Sequence, residues 1–260
     1  MQQIKNLVVS ARRFILQVSA RLTSISFSEA GSIMIIAPHP DDEVLGCGGM
    51  LAGRTSTGKR TEVLFLTEGD AAHQGCCTAQ ANQIGAERRG LAYGASDILG
   101  VPKGQLHFLD GRDGRLPRKG QDGFTDLAEK IAKYLEKFEP EVIFCPHPFE
   151  GWSDHMAAEE LTRSALDRLT YQPRLYHYCV WFWYSMPLAR AWRIDWRKAR
   201  LLDIAEQVPL KRQAMRTYLD ALAPCGHPWV GKLPPEFLRA FDWDKELFFE
   251  ADIKTLGREK

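Results

Sequence analysis

Long apolar runs are missing from the 260 residues. No stretch approaches the ~18 uninterrupted apolar side chains that a membrane-spanning helix needs. A surplus of one charge is missing too. The 34 basic and 33 acidic side chains leave a net charge of +1, which excludes the broad basic field of a nucleic-acid binder, so no nucleic-acid partner is expected. None of the six cysteines (Cys47, Cys76, Cys77, Cys145, Cys179 and Cys225) belongs to a C-x-x-C pair. Adjacent Cys76 and Cys77 make a poor start for a disulfide framework, and the thiols read as reduced in a cytoplasmic protein. Gly46, Gly48 and Gly49 form a G-x-G-G run without the lysine of a phosphate loop, so close helix–sheet packing explains them better. Internal repeats and low-complexity segments are absent as well. With 45% hydrophobic residues, the chain is ample for a single domain with a large core.

The first 28 residues contain no acidic side chain but carry Lys5, Arg12, Arg13 and Arg21. Ile4, Leu7, Val8, Ala11, Ile15, Val18, Leu22 and Ile25 recur at three- and four-residue steps, which places them on one helical face. Residues 1–28 therefore read as a basic amphipathic helix preceding a domain over 29–260. Arginines interrupt what would be the apolar core of a signal peptide. Two readings stay open. The helix packs on its own domain or on a second copy in a homo-oligomer, or residues 4–25 rest peripherally on an anionic membrane surface at the inner face.

The remainder alternates β-rich and helical runs. Ser32–Ala37, Thr61–Thr67, Gln105–Leu109, Glu141–Cys145 and Leu175–Trp183 read as strands. Glu43–Gly58, Thr78–Leu99, Phe124–Phe138, Met156–Leu169 and Pro209–Leu222 read as helices, before a Pro- and Trp-rich tail. This pattern predicts an α/β fold: a Rossmann-like, mostly parallel sheet with helices on both faces. Ligands of such sheets bind beyond the carboxyl ends of the strands, so chemistry is expected after Ala37, Thr67, Leu109 and Cys145.

The run after the first strand is A-P-H-P-D-D-E. His39 and Asp42 offer an imidazole nitrogen and a carboxylate oxygen across a proline-stiffened turn, both standard zinc donors. Asp41, between them, cannot easily point the same way and is free to act as a base on a water. A helix N-cap accounts for one acidic residue here, but not for three in a row beside a histidine. After the fourth strand comes P-H-P-F-E-G-W-S-D-H, residues 146–155. His155 opens a helix at the matching sheet edge and can complete a metal site, with Asp154 placed to orient a neighbouring imidazole.

These two motifs together resemble the LmbE/PIG-L superfamily of zinc-dependent de-N-acetylases, and the strand–helix alternation matches over roughly residues 32–185. The resemblance implies one Zn2+ ion held by His39, Asp42 and His155, and Asp41 as general base. It also implies Arg88 as a substrate-binding arginine and Asp113 as a sugar-hydroxyl acceptor. Many family members read H-P-D-H where this chain reads W-S-D-H, and the first histidine of that motif helps to stabilise the oxyanion. Trp152 stands in its place, which leaves His147, His227 or the polarising zinc ion itself to stabilise the oxyanion. Loss of an oxyanion donor costs about 10²–10³ in rate.

The implied activity is hydrolysis of the acetamide of an N-acetylglucosamine-type conjugate, either a small molecule or one linked to lipid, phosphate or nucleotide. A deacylase or amidase acting on a longer acyl or thiol-glycoside conjugate is the alternative. A glycan- or metal-binding protein that has lost catalysis is the third reading. The His–Asp–His donor set would also accept other divalent transition metals. Trp181, Phe182, Trp183 and Tyr184 read as core packing or as a sugar-stacking wall. Lys211, Arg212 and Arg216 read as a solvated face or as phosphate contacts.

Overall fold

The computed structural model describes residues 2–23, 25–26, 31–186 and 188–253. The parts of the expected segments 1–28 and 29–260 that fall on residues 1, 24, 27–30, 187 and 254–260 lie outside them. In chain order the elements are α1 (Gln2–Thr23), β1 (Ile25–Ser26), β2 (Ile33–Ala37), α2 (Asp42–Thr55), β3 (Thr61–Phe65), α3 (Ala81–Ile98), β4 (Leu106–Phe108) and α4 (Phe124–Phe138). There follow β5 (Val142–Pro146), α5 (Ser153–Leu166), β6 (Arg174–Tyr178), α6 (Phe182–Ser185), β7 (Ala199–Asp203), α7 (Val208–Asp220), α8 (Pro235–Leu238) and β8 (Lys245–Ala251).

Among the described residues one sheet runs β1-β7-β8-β6-β5-β2-β3-β4. It has seven strands of three or more residues and the two-residue β1 at its edge. All pairings are parallel except those of β8, which is antiparallel to both β6 and β7. The central strand β2 is buried along its whole length, as its unbroken apolar run requires. Period-two alternation divides its side chains: Ile33, Ile35 and Ala37 enter one apolar core, Met34 and Ile36 the other. Helices therefore cover both faces. α4 shows why: Phe124, Leu127, Ala128, Ile131, Ala132 and Leu135 form its buried stripe at helical spacing.

The glycines of α2 do allow close packing. A Cβ on Gly46 would lie 2.5 Å from the Tyr178 ring, and one on Gly49 would lie 2.6 Å from Ile204.

Three expectations are corrected. The predicted fifth strand is interrupted: β6 ends at Tyr178, and Phe182–Ser185 is a helical turn because the Glu150 carboxylate accepts the N–H groups of Val180, Trp181 and Phe182. The Pro- and Trp-rich tail holds two strands, β7 and β8. Lys211 does not belong to a solvated face. It is buried, and its ammonium donates to Glu246 Oε1 at 2.7 Å and to the Leu45 carbonyl at 2.9 Å. Arg212 and Arg216 are exposed.

The first helix packs on its own domain, but through the face opposite to the apolar one. Leu16 and Ala20 are buried, Arg12 Nη1 donates to the Tyr184 carbonyl, and Arg13 Nη1 donates to that of Glu236 at 3.2 Å. Leu7, Val8, Ala11, Phe14, Ile15, Val18 and Leu22 face outward.

Candidate metal centre

β2 and β5 are neighbours in the sheet, so the loops beyond their carboxyl ends lie side by side. The loop after β2 turns sharply into α2 at Asp41, whose backbone sits at φ 132°. A non-glycine residue held there costs of order 1–3 kcal/mol. The turn is held by the surrounding bonds. The Asp41 N–H donates to Glu43 Oε2 at 2.9 Å, the Asp41 carbonyl accepts from Leu45, and Glu43 Oε1 accepts from the Tyr218 hydroxyl at 2.5 Å. The strain separates the two carboxylates, as the motif predicts. Asp42 faces the imidazoles, while Asp41 faces the Arg88 guanidinium, Nη2 to Oδ1 3.4 Å.

Asp42 joins the two histidines. Its Oδ2 lies 3.1 Å from His39 Nδ1, and its Oδ1 lies 3.3 Å from His155 Nε2. The rings stand 5.6 Å apart between centroids. Each imidazole has its far nitrogen on further carboxylates. His39 Nε2 is 3.0 Å from Asp113 Oδ1 and 3.2 Å from Asp154 Oδ2. His155 Nδ1 is 2.8 Å from Glu150 Oε2. Carboxylates that take the outer N–H leave the inner nitrogen bare and aimed at the ion, the usual support of a metal-bound imidazole. Both ring nitrogens of His155 are fully buried and neither makes a hydrogen bond, Nε2 facing the cluster. Buried polar nitrogens without partners are rare and call for an explanation. A divalent cation between His39 Nδ1, Asp42 and His155 Nε2 supplies one, and these three donors lie within 4.8 Å of one another. The residues fit the ion.

The electrostatics point the same way. Burial opposes charge on His155, yet Asp42 and Glu150 raise it to about 9. Burial also opposes charge on Asp42, but His155 and His39 hold it well below the usual carboxylate range. Asp113 is likewise lowered, to about 2, by the His39 hydrogen bond against the effect of burial. Asp41 goes the other way. Burial raises it to about 7, with Arg88 pulling back. Five acidic side chains (Asp41, Asp42, Asp113, Glu150 and Asp154) thus converge on two imidazoles and one guanidinium.

The cluster opens into a cavity of about 310 Å³. Arg88 and Asp113 both line it, though neither is idle. Arg88 is buried and donates to the carbonyls of Pro40 (2.6 Å) and Gly69 (2.9 Å). Asp113 spends one oxygen on His39 and the other on the Ala71 N–H at 2.7 Å. Trp152 lies at the cavity wall, stacked 4.5 Å from Trp181, which in turn stacks 4.3 Å from Phe237. Of the aromatic segment, Trp181 alone borders this cavity, and Phe182 and Trp183 are buried core.

His147 is not brought to the site. Its ring is buried among Phe149, Phe182 and Phe249, its Nδ1 accepts from the Phe149 N–H at 3.1 Å, and it borders a separate cavity of about 720 Å³. Burial keeps this imidazole well below its usual pKa; because it lines the other cavity and not that of the cluster, the geometry does not support the expected oxyanion role. His227 does not line the site either.

Two residues escaped the sequence reading. Glu150 stands five positions before His155 in the second motif, but an acidic residue in a loop carries no sign of its partners. Gln74 lines the cavity from a segment with no periodicity to mark it.

The profile of the family described as PIG-L, GlcNAc-PI de-N-acetylase, matches residues 34–166, just over half of the chain. Diacetylchitobiose deacetylase of Thermococcus kodakarensis is 28% identical over 137 residues, 51% of this chain and 48% of the relative. The 1D-myo-inositol 2-acetamido-2-deoxy-alpha-D-glucopyranoside deacetylase of Mycolicibacterium vanbaalenii is 26% identical over 167 residues, 57% of this chain and 59% of the relative. The chain thus spans about half of the first relative's length and just under three fifths of the second's. Among solved structures, N,N'-diacetylchitobiose deacetylase from Pyrococcus horikoshii superposes with a TM-score of 0.64 over 88% of this chain and 87% of that one. At 18% identity that likeness carries the fold.

Proposed function

Because the chain belongs to the PIG-L family of GlcNAc-PI de-N-acetylases, we propose that it hydrolyses the acetamide of an N-acetylglucosamine-type conjugate to acetate and the free amine. One observation carries this reading: an Asp42 carboxylate shared by two carboxylate-backed imidazoles, with Asp41 turned aside towards the same cavity. His39, Asp42 and His155 would hold a zinc ion, which when bound supplies Lewis-acid chemistry to a water and an acyl oxygen. Asp41 is the proton carrier. Raised to about 7 by burial, it accepts a proton from the attacking water and returns it to the departing amine near neutral pH. Arg88 fixes that carboxylate and, as the one lysine or arginine among the described lining residues, is the protein's candidate partner for the developing oxyanion. Trp152, held on one face by Trp181, lines the cavity and offers a wall for a sugar ring.

The test is acetate release from a panel of N-acetylglucosaminyl conjugates, with and without chelator, alongside metal analysis. Asp41→Asn should keep its zinc and lose turnover. An unchanged rate in that variant, or indifference to the chelator, refutes the reading.

The outward face of α1 favours a lipid-linked substrate. Leu7, Phe14 and Leu22 are 71%, 67% and 79% exposed, Arg21 flanks them, and α1 packs on α6 and α8, beside the Trp181–Phe237 wall. No helix among the described residues is long and apolar enough to cross a membrane, whereas such a face suits shallow insertion among anionic headgroups. Co-sedimentation with phosphatidylglycerol vesicles, lost in a Leu7→Ser/Phe14→Ser/Leu22→Ser variant, is expected. A concentration-dependent dimer that ignores vesicles would assign the face to a second copy.

A further inference from the structure

A second group of metal-type donors lies apart from the His39 cluster and shares no residue with it. His73, Cys76 and Cys77 belong to the segment between β3 and α3, and Cys225 to the turn after α7. Though 149 positions separate Cys76 from Cys225, their sulfurs are 3.6 Å apart. His73 Nδ1 is 3.2 Å from Cys76 Sγ and 3.4 Å from Cys225 Sγ. With Cys77, all four donor atoms lie within 4.8 Å of one another.

We propose that His73, Cys76, Cys77 and Cys225 form a structural Cys3His zinc site. The distances suit it. Metal–sulfur and metal–nitrogen bonds of about 2.3 and 2.0 Å give tetrahedral edges of about 3.8 Å between sulfurs and about 3.5 Å between nitrogen and sulfur. The imidazole is already prepared. His73 Nε2 lies 2.9 Å from the Pro228 carbonyl, and donation there fixes the tautomer that leaves Nδ1 bare towards the thiols. The ring is buried, with Trp229 edge-on at 5.8 Å between centroids.

A disulfide fits less well. All six cysteines are free, and pairing Cys76 with Cys225 would leave Cys77 and the prepared imidazole without a role. Three soft thiolates and one imidazole in a four-donor set select zinc over the harder cations. Binding releases the three thiol protons.

The position gives the ion something to do. Apolar packing here is thin: Ile84, Ala223 and Trp229 form a small cluster outside the two main cores. Ala71, Ala72 and Gln74 line one side of the catalytic cavity, and Val230 and Leu233 line another. The first group adjoins His73, and the second follows Cys225 by a few residues. A cation joining the two segments would pin these walls together without touching substrate.

The experiment is metal analysis and cobalt exchange of the full chain. Wild-type protein should carry two zinc ions per chain, and Cys76→Ser/Cys225→Ser should carry one. Cobalt-exchanged wild type should show thiolate-to-cobalt charge-transfer absorption. His39→Ala should retain that absorption because its donors are elsewhere, and chelation should expose three further reactive thiols. A single zinc per chain with no such absorption overturns the site, as does an intact mass showing a Cys76–Cys225 disulfide. If the double variant fails to fold, the wild-type and His39→Ala spectra still decide the question.

Discussion

Glu150→Gln is the substitution that most directly tests how the metal cluster is held. The Glu150 side chain is fully buried, accepts three backbone N–H groups and lies against the His155 ring. Oε1 takes the N–H groups of Val180 at 2.6 Å and Phe182 at 3.2 Å; Oε2 takes Trp181 N–H at 2.7 Å and lies 2.8 Å from His155 Nδ1. A glutamine keeps the shape and one accepting oxygen, while its NH2 group must face at least one of the backbone donors. An unsatisfied buried donor gives a loss of roughly 1–3 kcal/mol. His155 can escape only by changing tautomer. Nδ1 then accepts from the glutamine, and the proton moves to Nε2, the nitrogen that faces Asp42. That nitrogen can no longer donate a lone pair to a cation, so zinc affinity should fall about 10–100-fold or more. Denaturant unfolding of the metal-free protein measures the first effect, and chelator competition measures the second. Affinity within twofold of wild type, together with an unchanged unfolding midpoint, would refute the assignment of Glu150 as the support of His155.

Three further outcomes follow from the same geometry. His147→Phe, placed among Phe149, Phe182 and Phe249, should change acetate release less than about threefold. A loss of the 10²–10³ size expected of a missing oxyanion donor would restore His147 to the site. The pH profile of kcat/KM should show an acid limb. Asp41 must be ionised to accept a proton, burial raises it to about 7, and a cation on the adjacent carboxylate can only draw it lower, so a limb centred clearly above that value would exclude Asp41. Lys211→Met removes the cation facing Glu246, which also accepts the Gly49 and Met50 N–H groups. It should cost about 3–5 kcal/mol in urea unfolding, and a neutral result would mean that the orphaned carboxylate finds another partner.

The strands, helices and chemistry that were legible in the sequence share a cause: each is written in short-range pattern. The apolar run of β2, the stripe of α4 and the two motifs beyond β2 and β5 depend on neighbours within a few positions. What was illegible depends on partners far away. Nothing in V-W-F-W-Y announces that residues 180–182 will be gathered onto a carboxylate thirty positions earlier. Lys211 lies in a basic stretch that looks solvated until β8 brings Glu246 beneath it. The apolar face of α1 was correctly periodic, but period says only that the residues share a face. Two backbone carbonyls accepting from Arg12 and Arg13 turn that face outward.

The order of the sheet has a consequence for biosynthesis. β8, the last of the described strands in chain order, does not sit at an edge but between β6 and β7. A nascent chain can therefore assemble β2 to β6 and gather His39, Asp42 and His155 while β7 and the two-residue β1 still lack their bridge. Until residue 251 emerges, β6 offers an open row of amides and carbonyls, the kind of edge that recruits other chains. α1, which packs on α6, α8 and β7, is thus among the last of the described elements to find its seat.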